Sequence, residues 1–155
     1  MDWLAALRNN FKLRPMWMNA LLLFCAYMTF IYVPWDFLFK PLAEDQEVWF
    51  GILLTGWAAK ATEPLHWAIY AAGTVGFWRM RPWMHPWAAV YVIQIAIGMF
   101  VWSTLDERSP GWTGGVLAAT PFVILAVALW RARARFNATG AKTEVVTEAD
   151  TDSGP

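Results

Sequence analysis

Residues 15–35 have the sequence PMWMNALLLFCAYMTFIYVPW, a run of 21 residues without a charged side chain between Arg14 and Asp36. Two further charge-free runs of similar length follow, over residues 82–105 and 109–130. Each run reaches the roughly 20 residues that an α-helix needs to cross about 30 Å of hydrocarbon. The sequence therefore predicts a polytopic integral membrane protein.

The composition supports the same class. Of 155 residues, 58% are hydrophobic and only 15% are charged, whereas a soluble domain is usually about 25% charged. The chain has a single cysteine, Cys25, and its 12 basic and 12 acidic side chains balance. These features exclude a nucleic-acid-binding protein, a disulfide-stabilised scaffold and a secreted domain.

The charge-free runs predict an all-α fold, a bundle of four transmembrane helices. A single straight helix over residues 48–78 would be about 46 Å long and would overshoot the bilayer. We therefore expect residues 47–57 to form an interfacial or re-entrant segment. The predicted parts are an interfacial amphipathic helix over 1–14, a membrane domain over 15–136 with spans at about 16–38, 58–78, 83–103 and 114–131, and a disordered cytoplasmic tail over 137–155.

Basic residues in the flanks predict the orientation. With four spans, the two termini and the turn at 79–82 share one side of the membrane. That side carries nine Lys and Arg residues, against three on the other side. Because cytoplasmic loops carry an excess of Lys and Arg, we expect both termini in the cytoplasm.

Ionisable side chains inside a membrane are costly and point to function by default. Glu63 and His66 are three residues apart on the second predicted span, so they share a helix face with Tyr70. We interpret Glu63 and His66 as candidate catalytic residues and Tyr70 as a candidate ligand contact. The alternatives are a structural ion pair between Glu63 and Lys60 and a packing role for His66.

Three more candidate ligand contacts lie on the other spans. Gln94 is near the middle of the third span with Tyr91 on its own face, and Asp36 ends the first span. If these faces point inward, they line a polar cavity with aromatic walls. The alternatives are that Gln94 joins two helices by a hydrogen bond and that Asp36 marks the water boundary.

A metal or haem site is not predicted. The spacing of Glu63 and His66 is that of half a di-iron site, but the second Glu-x-x-His that such a bundle needs is missing from the sequence. His66 lies near the outer end of the second span and His85 follows its inner end, so they cannot clamp one haem. The sequence therefore predicts no cofactor.

The arrangement resembles the EXPERA superfamily, which includes the emopamil-binding sterol isomerase. The resemblance covers about residues 16–135. It rests first on the four spans and on an interfacial segment before the second. The sequence features are an acidic end of the first span (Pro34-Trp35-Asp36), a Glu near the outer start of the second (Thr62-Glu63-Pro64-Leu65-His66), a basic turn into the stretch from Pro86 to Tyr91 with Gln94 three positions on, and Ala119-Thr120-Pro121-Phe122 leading to Arg131.

This resemblance implies an intramembrane cavity for a sterol-like or cationic amphiphilic ligand, with Asp36, Glu63 and Gln94 at the site. It also implies a double-bond isomerase. The isomerase pattern, however, places a His before a Glu one turn later, whereas here Glu63 precedes His66. The partners expected are a membrane lipid or apolar small molecule, with a homo-oligomer or a larger membrane complex left open. The second hypothesis is an accessory subunit of such a complex.

Overall fold

The computed structural model describes residues 3–105 and 110–137, which are mostly helical. Three of its helices are long and apolar enough to cross a membrane, which is what an integral membrane protein requires. They coincide with the first, third and fourth predicted spans. Their bounds are Met16–Phe39, Met84–Leu105 and Trp112–Arg131.

The elements follow one another with short connections. A helical stretch over residues 133–137 ends the described chain, so the predicted tail lies outside the described residues except for its first residue. The elements are α1 (Trp3–Phe11), α2 (Met16–Tyr27), a π-helical turn (Met28–Tyr32), α3 (Val33–Phe39), a 3₁₀ turn (Leu42–Glu44), β1 (Gln46–Trp49), β2 (Ile52–Thr55), α4 (Trp57–Lys60), α5 (Glu63–Trp78), α6 (Met84–Leu105) and α7 (Trp112–Arg131).

The π-helical turn between α2 and α3 places an extra residue in the first long helix. Here the Val33 N–H donates to the Met28 carbonyl, five residues back. In the same register the Thr29 carbonyl would accept from the N–H of residue 34. Pro34 has no N–H, so the Thr29 carbonyl lacks a backbone partner. The indole Nε1 of Trp67 on α5 donates to this carbonyl at 2.8 Å. A side chain of a neighbouring helix thus satisfies a backbone group that lipid could not.

The segment 47–57 contains a β-hairpin, so the all-α prediction is wrong here. Strands β1 and β2 pair antiparallel, and Trp49 faces Ile52 across a two-residue turn. The turn residues Phe50 and Gly51 have φ values of 49° and 84°, as a type I′ turn requires. Glycine adopts this conformation freely, whereas Phe50 is a bulky residue in a strained one.

Helix α5 begins at Glu63, later than the predicted start at residue 58. A continuous helix would need the N–H of residue 64 to bond the Lys60 carbonyl, but Pro64 has no N–H. The 16 residues of α5 span about 24 Å at 1.5 Å per residue, less than the hydrocarbon thickness of about 30 Å. Helix α5 is therefore not among the three membrane-length helices.

Four helices pack as two pairs, α2 with α5 and α6 with α7. A Cβ atom at Gly115 would lie 2.8 Å from the Phe100 carbonyl oxygen, so this glycine permits the close approach of α7 to α6. Both pairs contribute to one buried core, which comprises Met18, Leu22, Phe77, Met80, Met84, Ala89, Val92, Ala126, Leu129, Ala132 and Phe136.

Arg14 fastens the amino-terminal segment to the end of α5. Its Nη1 donates to the carbonyls of Phe77 at 2.6 Å and Trp78 at 3.1 Å, which lie at a helix end where carbonyls lack intrahelical partners. Its Nε donates to Asn19 at 2.7 Å, and its Nη2 contacts Asn10. A cation at a helix carboxyl end is also favoured by the helix dipole. The interfacial position of α1 stays a prediction.

Candidate functional site

Five charged side chains meet beside the start of α5. We call them the charged cluster: Asp36 on α3, Lys40 just after it, Asp45 after the 3₁₀ turn, Lys60 at the end of α4 and Glu63 at the start of α5. The three acidic residues are buried, and Asp45 has no exposed surface. Because the cluster joins α3, the residues on either side of the 3₁₀ turn, the end of α4 and the start of α5, it ties together the chain on both sides of the β-hairpin.

Each lysine of the charged cluster contacts two carboxylates. Lys60 Nζ lies 3.0 Å from Glu63 Oε1 and 3.1 Å from Asp45 Oδ2, and it donates to the Asp36 backbone carbonyl at 2.8 Å. Lys40 Nζ lies 3.1 Å from Asp45 Oδ1 and 3.3 Å from Asp36 Oδ1. Asp45 therefore bridges the two ammonium groups, and the structural pair of Lys60 with Glu63 is present.

These contacts set the ionisation of the cluster. Burial by itself would raise the pKa of Asp45, but the contacts with Lys40 and Lys60 outweigh it and hold that pKa below its ordinary value. Burial likewise disfavours charged Lys40, yet Asp45 and Asp36 raise the pKa of Lys40 above its ordinary value. Both groups are charged near neutral pH.

The three carboxylates are close enough to share a cation. Asp36, Asp45 and Glu63 each offer an oxygen atom within 4.8 Å of the others, a spacing that suits a metal ion. Two ammonium groups already lie among these oxygens, however, and supply two positive charges against three negative ones. The lysines therefore already compensate two of the three negative charges.

His66 has partners outside the charged cluster. Its Nδ1 lies 3.4 Å from Glu47 Oε2, and its ring stacks on Trp49 with the centroids 4.3 Å apart. Glu63 contacts Lys60 instead. The predicted acid–base pair of Glu63 and His66 is thus divided between two sets of contacts, and a catalytic role for either residue stays a prediction.

A cavity of about 400 Å³ lies between the two helix pairs. It is bounded by α2, α5, α6, α7 and the tip of the hairpin, and none of the described residues that line it is charged. The lining residues are Leu21, Phe24, Cys25, Trp49, Phe50, Ile69, Tyr70, Ala72, Gly73, Phe77, Trp83, Met84, Trp87, Ala88, Val90, Tyr91, Val92, Gln94, Ile95, Phe122, Leu125 and Leu129.

The predicted site residues separate into two places. Tyr70, Tyr91 and Gln94 line the cavity, whereas Asp36 and Glu63 belong to the charged cluster. The sequence predicts one polar cavity that contains all of them. The structure brings the aromatic and amide candidates together and leaves the acidic ones with the lysines.

The β-hairpin supplies cavity residues that sequence reasoning missed. Trp49 and Phe50 line the cavity, and the Gln94 Nε2 donates to the Val48 carbonyl at 3.1 Å, which ties β1 to α6. The sequence feature that indicates the hairpin is Gly51, because glycine is typical of tight hairpin turns. The residue before it, Phe50, is atypical, because Asn or Asp usually precedes glycine in such turns.

No family model, curated protein or solved structure matches the chain. We therefore infer a function from the geometry of the charged cluster and of the cavity.

Proposed function

We propose that the chain is a multi-pass integral membrane protein that binds an apolar lipid or small molecule in the cavity. One observation carries this proposal: about 400 Å³ of space lies between the helix pairs and is bounded by apolar and aromatic side chains. Ligand sites commonly measure about 300–1,000 Å³ and occur between the helices of bundles.

In the same proposal, α5 serves as a fourth, short span. It packs against α2 and borders the cavity, and a short helix is accommodated by local thinning of the bilayer. Four spans place both termini on one side. The excess of basic flanks makes that side cytoplasmic.

A reporter experiment tests this topology. A reporter fused after Arg135 should behave as cytoplasmic, and one inserted at Asp45 should behave as external. If both reporters lie on the same side of the membrane, the four-span arrangement fails.

The isomerase reaction and membership of the EXPERA superfamily stay predictions of the sequence. An isomerase needs an acid and a base beside the same substrate atoms. Glu63 contacts Lys60 at 3.0 Å, and His66 contacts Glu47 at 3.4 Å. The cavity supports ligand binding more directly than it supports this reaction.

Photolabelling tests ligand binding. Purified protein in lipid nanodiscs would be irradiated with a diazirine-bearing long-chain hydrocarbon, and the labelled residues mapped by mass spectrometry. Labels should concentrate at cavity residues. The variant Ala88→Phe, which fills the cavity, should lose most of this labelling.

The matched control is Ala68→Phe. Ala68 lies on α5, is exposed, and does not line the cavity, so the same substitution there should leave cavity labelling unchanged. Size-exclusion chromatography and thermal unfolding would show that both variants fold. Labelling that is spread over the outer faces and insensitive to Ala88→Phe would contradict the proposal.

The second candidate is an accessory subunit of a larger membrane complex. The observation that favours it is the pairing of Glu63 with Lys60, since this buried acid has a structural partner. That function predicts a stoichiometric protein partner after mild solubilisation and no ligand-dependent labelling of the cavity.

A further inference from the structure

The described charged residues lie at opposite ends of the packed helices. All the acidic ones lie at the end where α5 begins, and the ion pairs of Lys40 and Lys60 lie there too. The other end is formed by α1, the turn between α5 and α6, and the residues at and after the end of α7. Within residues 3–105 and 110–137, the charged residues at this end are all basic: Arg8, Lys12, Arg14, Arg79, Arg81, Arg131, Arg133 and Arg135.

Contacts between aromatic rings bring the three basic segments together. The ring of Phe11 on α1 meets Trp78 at the end of α5 edge to face, with the centroids 6.3 Å apart. The ring of Phe136, which follows α7, lies 6.1 Å from that of Phe77 on α5. The end of α5 therefore contacts both of the other segments. The basic segments form one continuous end of the protein, although they are far apart in the sequence.

Six basic side chains at this end form what we call the basic face. All of them except the half-buried Arg81 are exposed. Arg14 is not included, because its guanidinium group binds the carbonyls at the end of α5. Arg135 is not included, because it has an interaction of its own. The members of the basic face are Arg8, Lys12, Arg79, Arg81, Arg131 and Arg133.

No described carboxylate neutralises the basic face. The ion pairs between described residues all lie at the opposite end of the helices. The 16 residues of α5 alone separate the two ends by about 24 Å. Since the Debye length in about 0.1 M salt is only about 10 Å, the distant carboxylates screen the basic face little. The face therefore presents positive charge to its surroundings.

Exposed tryptophans lie on the same three segments as the basic face. They are Trp3 on α1, Trp78 at the end of α5, Trp83 in the turn before α6 and Trp130 near the end of α7. Tryptophan is enriched where a membrane meets water, at the level of the lipid headgroups. A surface that combines exposed tryptophans with Lys and Arg therefore suits the headgroup region, where the phosphates of lipids lie.

We propose that the basic face binds the phosphate-bearing headgroups of anionic phospholipids in the adjacent leaflet. Guanidinium groups pair with phosphate through two parallel hydrogen bonds, and each Lys or Arg near an anionic membrane surface adds to the attraction. The basic residues are spread over three segments, which suits several headgroups around the protein better than one small soluble anion. This interaction is independent of any ligand in the cavity.

Spin-labelled lipids measure the preference for anionic headgroups in the unaltered protein. Phosphatidylglycerol and phosphatidylcholine probes with the same acyl chains would be compared in phosphatidylcholine vesicles that contain the protein. Electron paramagnetic resonance separates the motionally restricted probe at the protein from the mobile probe in the bilayer. We expect phosphatidylglycerol to associate about fivefold more strongly, which is the factor that one Lys or Arg near the membrane surface contributes.

Salt tests the electrostatic origin of the preference without altering the protein. Raising the salt concentration from about 0.1 M to about 1 M shortens the Debye length from about 10 Å to about 3 Å. The ratio of phosphatidylglycerol to phosphatidylcholine association should then fall close to one, while the association of phosphatidylcholine stays unchanged. A preference that persists in high salt would overturn recognition by charge.

Two matched variants connect the preference to the basic face. Arg79→Gln, Arg81→Gln, Arg131→Gln and Arg133→Gln together remove four charges, so the ratio should fall close to one. Lys at the same four positions keeps the charges and should keep most of the preference. The control is Glu44→Gln, which removes an exposed charge at the opposite end and should leave the ratio unchanged. Unchanged melting temperatures in phosphatidylcholine show that the variants fold, and the salt series decides the question if the Gln variant does not assemble.

Three outcomes overturn the proposal. The first is equal association of the two probes with the unaltered protein in low salt. The second is a preference that the Gln variant keeps in full. The third is a preference that appears only after residues 138–155 are deleted, because that sequence contains Glu144, Glu148, Asp150 and Asp152 and the basic face would then pair with acids of its own chain.

Discussion

The charged cluster and the cavity differ in the side chains that they bury. In the cluster, both lysines contact two carboxylates each, and those contacts tie successive connections together. The described residues that line the cavity are apolar and aromatic apart from Gln94, and none of them is charged. The comparison teaches that a costly buried charge marks structure when its partners lie within the chain. An apolar space between helices, by contrast, is where helix bundles hold ligands.

The largest effect should come from breaking the cluster at Lys60. The variant Lys60→Met leaves the buried carboxylates of Asp45 and Glu63 without their shared cation, and removing one member of a buried ion pair costs about 3–5 kcal/mol. We expect a large fall in the melting temperature measured in detergent, with less assembled protein.

The control for Lys60 is the exposed Lys12, for which Lys12→Met should change the melting temperature little. If Lys60→Met were as mild as this control, the cluster would not hold the chain together, and its contrast with the cavity would disappear.

The pH dependence of stability should reveal the same cluster. The pKa of Asp45 is lowered, so its contribution is complete above its unfolded value of about 3.9 and is lost as pH falls through the folded pKa. The pKa of Lys40 is raised, so its contribution is complete below about 10.4 and is lost as pH rises through the folded pKa. Melting temperatures should therefore fall at both extremes.

The variant Asp45→Asn provides the comparison for this pH profile. It should be less stable than the unaltered protein near neutral pH, and its stability should fall less steeply in acid because Asn does not titrate. An acid limb identical to that of the unaltered protein would assign the acid sensitivity to groups other than Asp45.

A smaller effect should follow from Trp67→Phe. This change removes the donor that satisfies the Thr29 carbonyl at the π-helical turn, and an unsatisfied buried acceptor costs about 1–3 kcal/mol. Trp112 is exposed, so Trp112→Phe is the matched control and should be close to neutral. Equal melting temperatures for the two variants would show that the Trp67 bond carries no stability.

The smallest effect concerns the hairpin, which borders the cavity at its tip. Phe50 has a positive φ, a conformation that costs a residue with a Cβ atom about 1–2 kcal/mol and that Asn tolerates better. Phe50→Asn should raise the free energy of unfolding by at most about 1 kcal/mol, because a cavity contact is lost at the same time. A clear loss of stability would show that Phe50 packing outweighs the relief of strain.

The three membrane-length helices could be predicted from the sequence because length and hydropathy are local properties. The pairing of Lys60 with Glu63 could be proposed from the sequence as an alternative, since i and i+3 residues are neighbours on a helix. The contacts of Lys40 and Lys60 with Asp45 could not. They depend on the connection after α3 folding back beside the start of α5, which no local pattern specifies.

Tyr70, Tyr91 and Gln94 were singled out from shared helix faces, and all three line the cavity. Their role as ligand contacts stays a prediction. The contribution of the hairpin could not be predicted, because Trp49 and Phe50 lie in an apolar stretch whose strand pairing depends on the turn at Gly51. Asp36 and Glu63 were chosen because ionisable residues in membranes are often functional. Most of their contacts with the lysines are seen only in the folded chain.

The most direct test compares photolabelling of the cavity in Ala88→Phe and Glu63→Gln, with the hydrocarbon probe in nanodiscs. Gln retains the shape of Glu63 and can still accept from Lys60, so the charged cluster should persist. We predict that Ala88→Phe abolishes cavity labelling and that Glu63→Gln leaves it unchanged. Loss of labelling in Glu63→Gln with retention in Ala88→Phe would contradict the division between a structural cluster and a ligand-binding cavity.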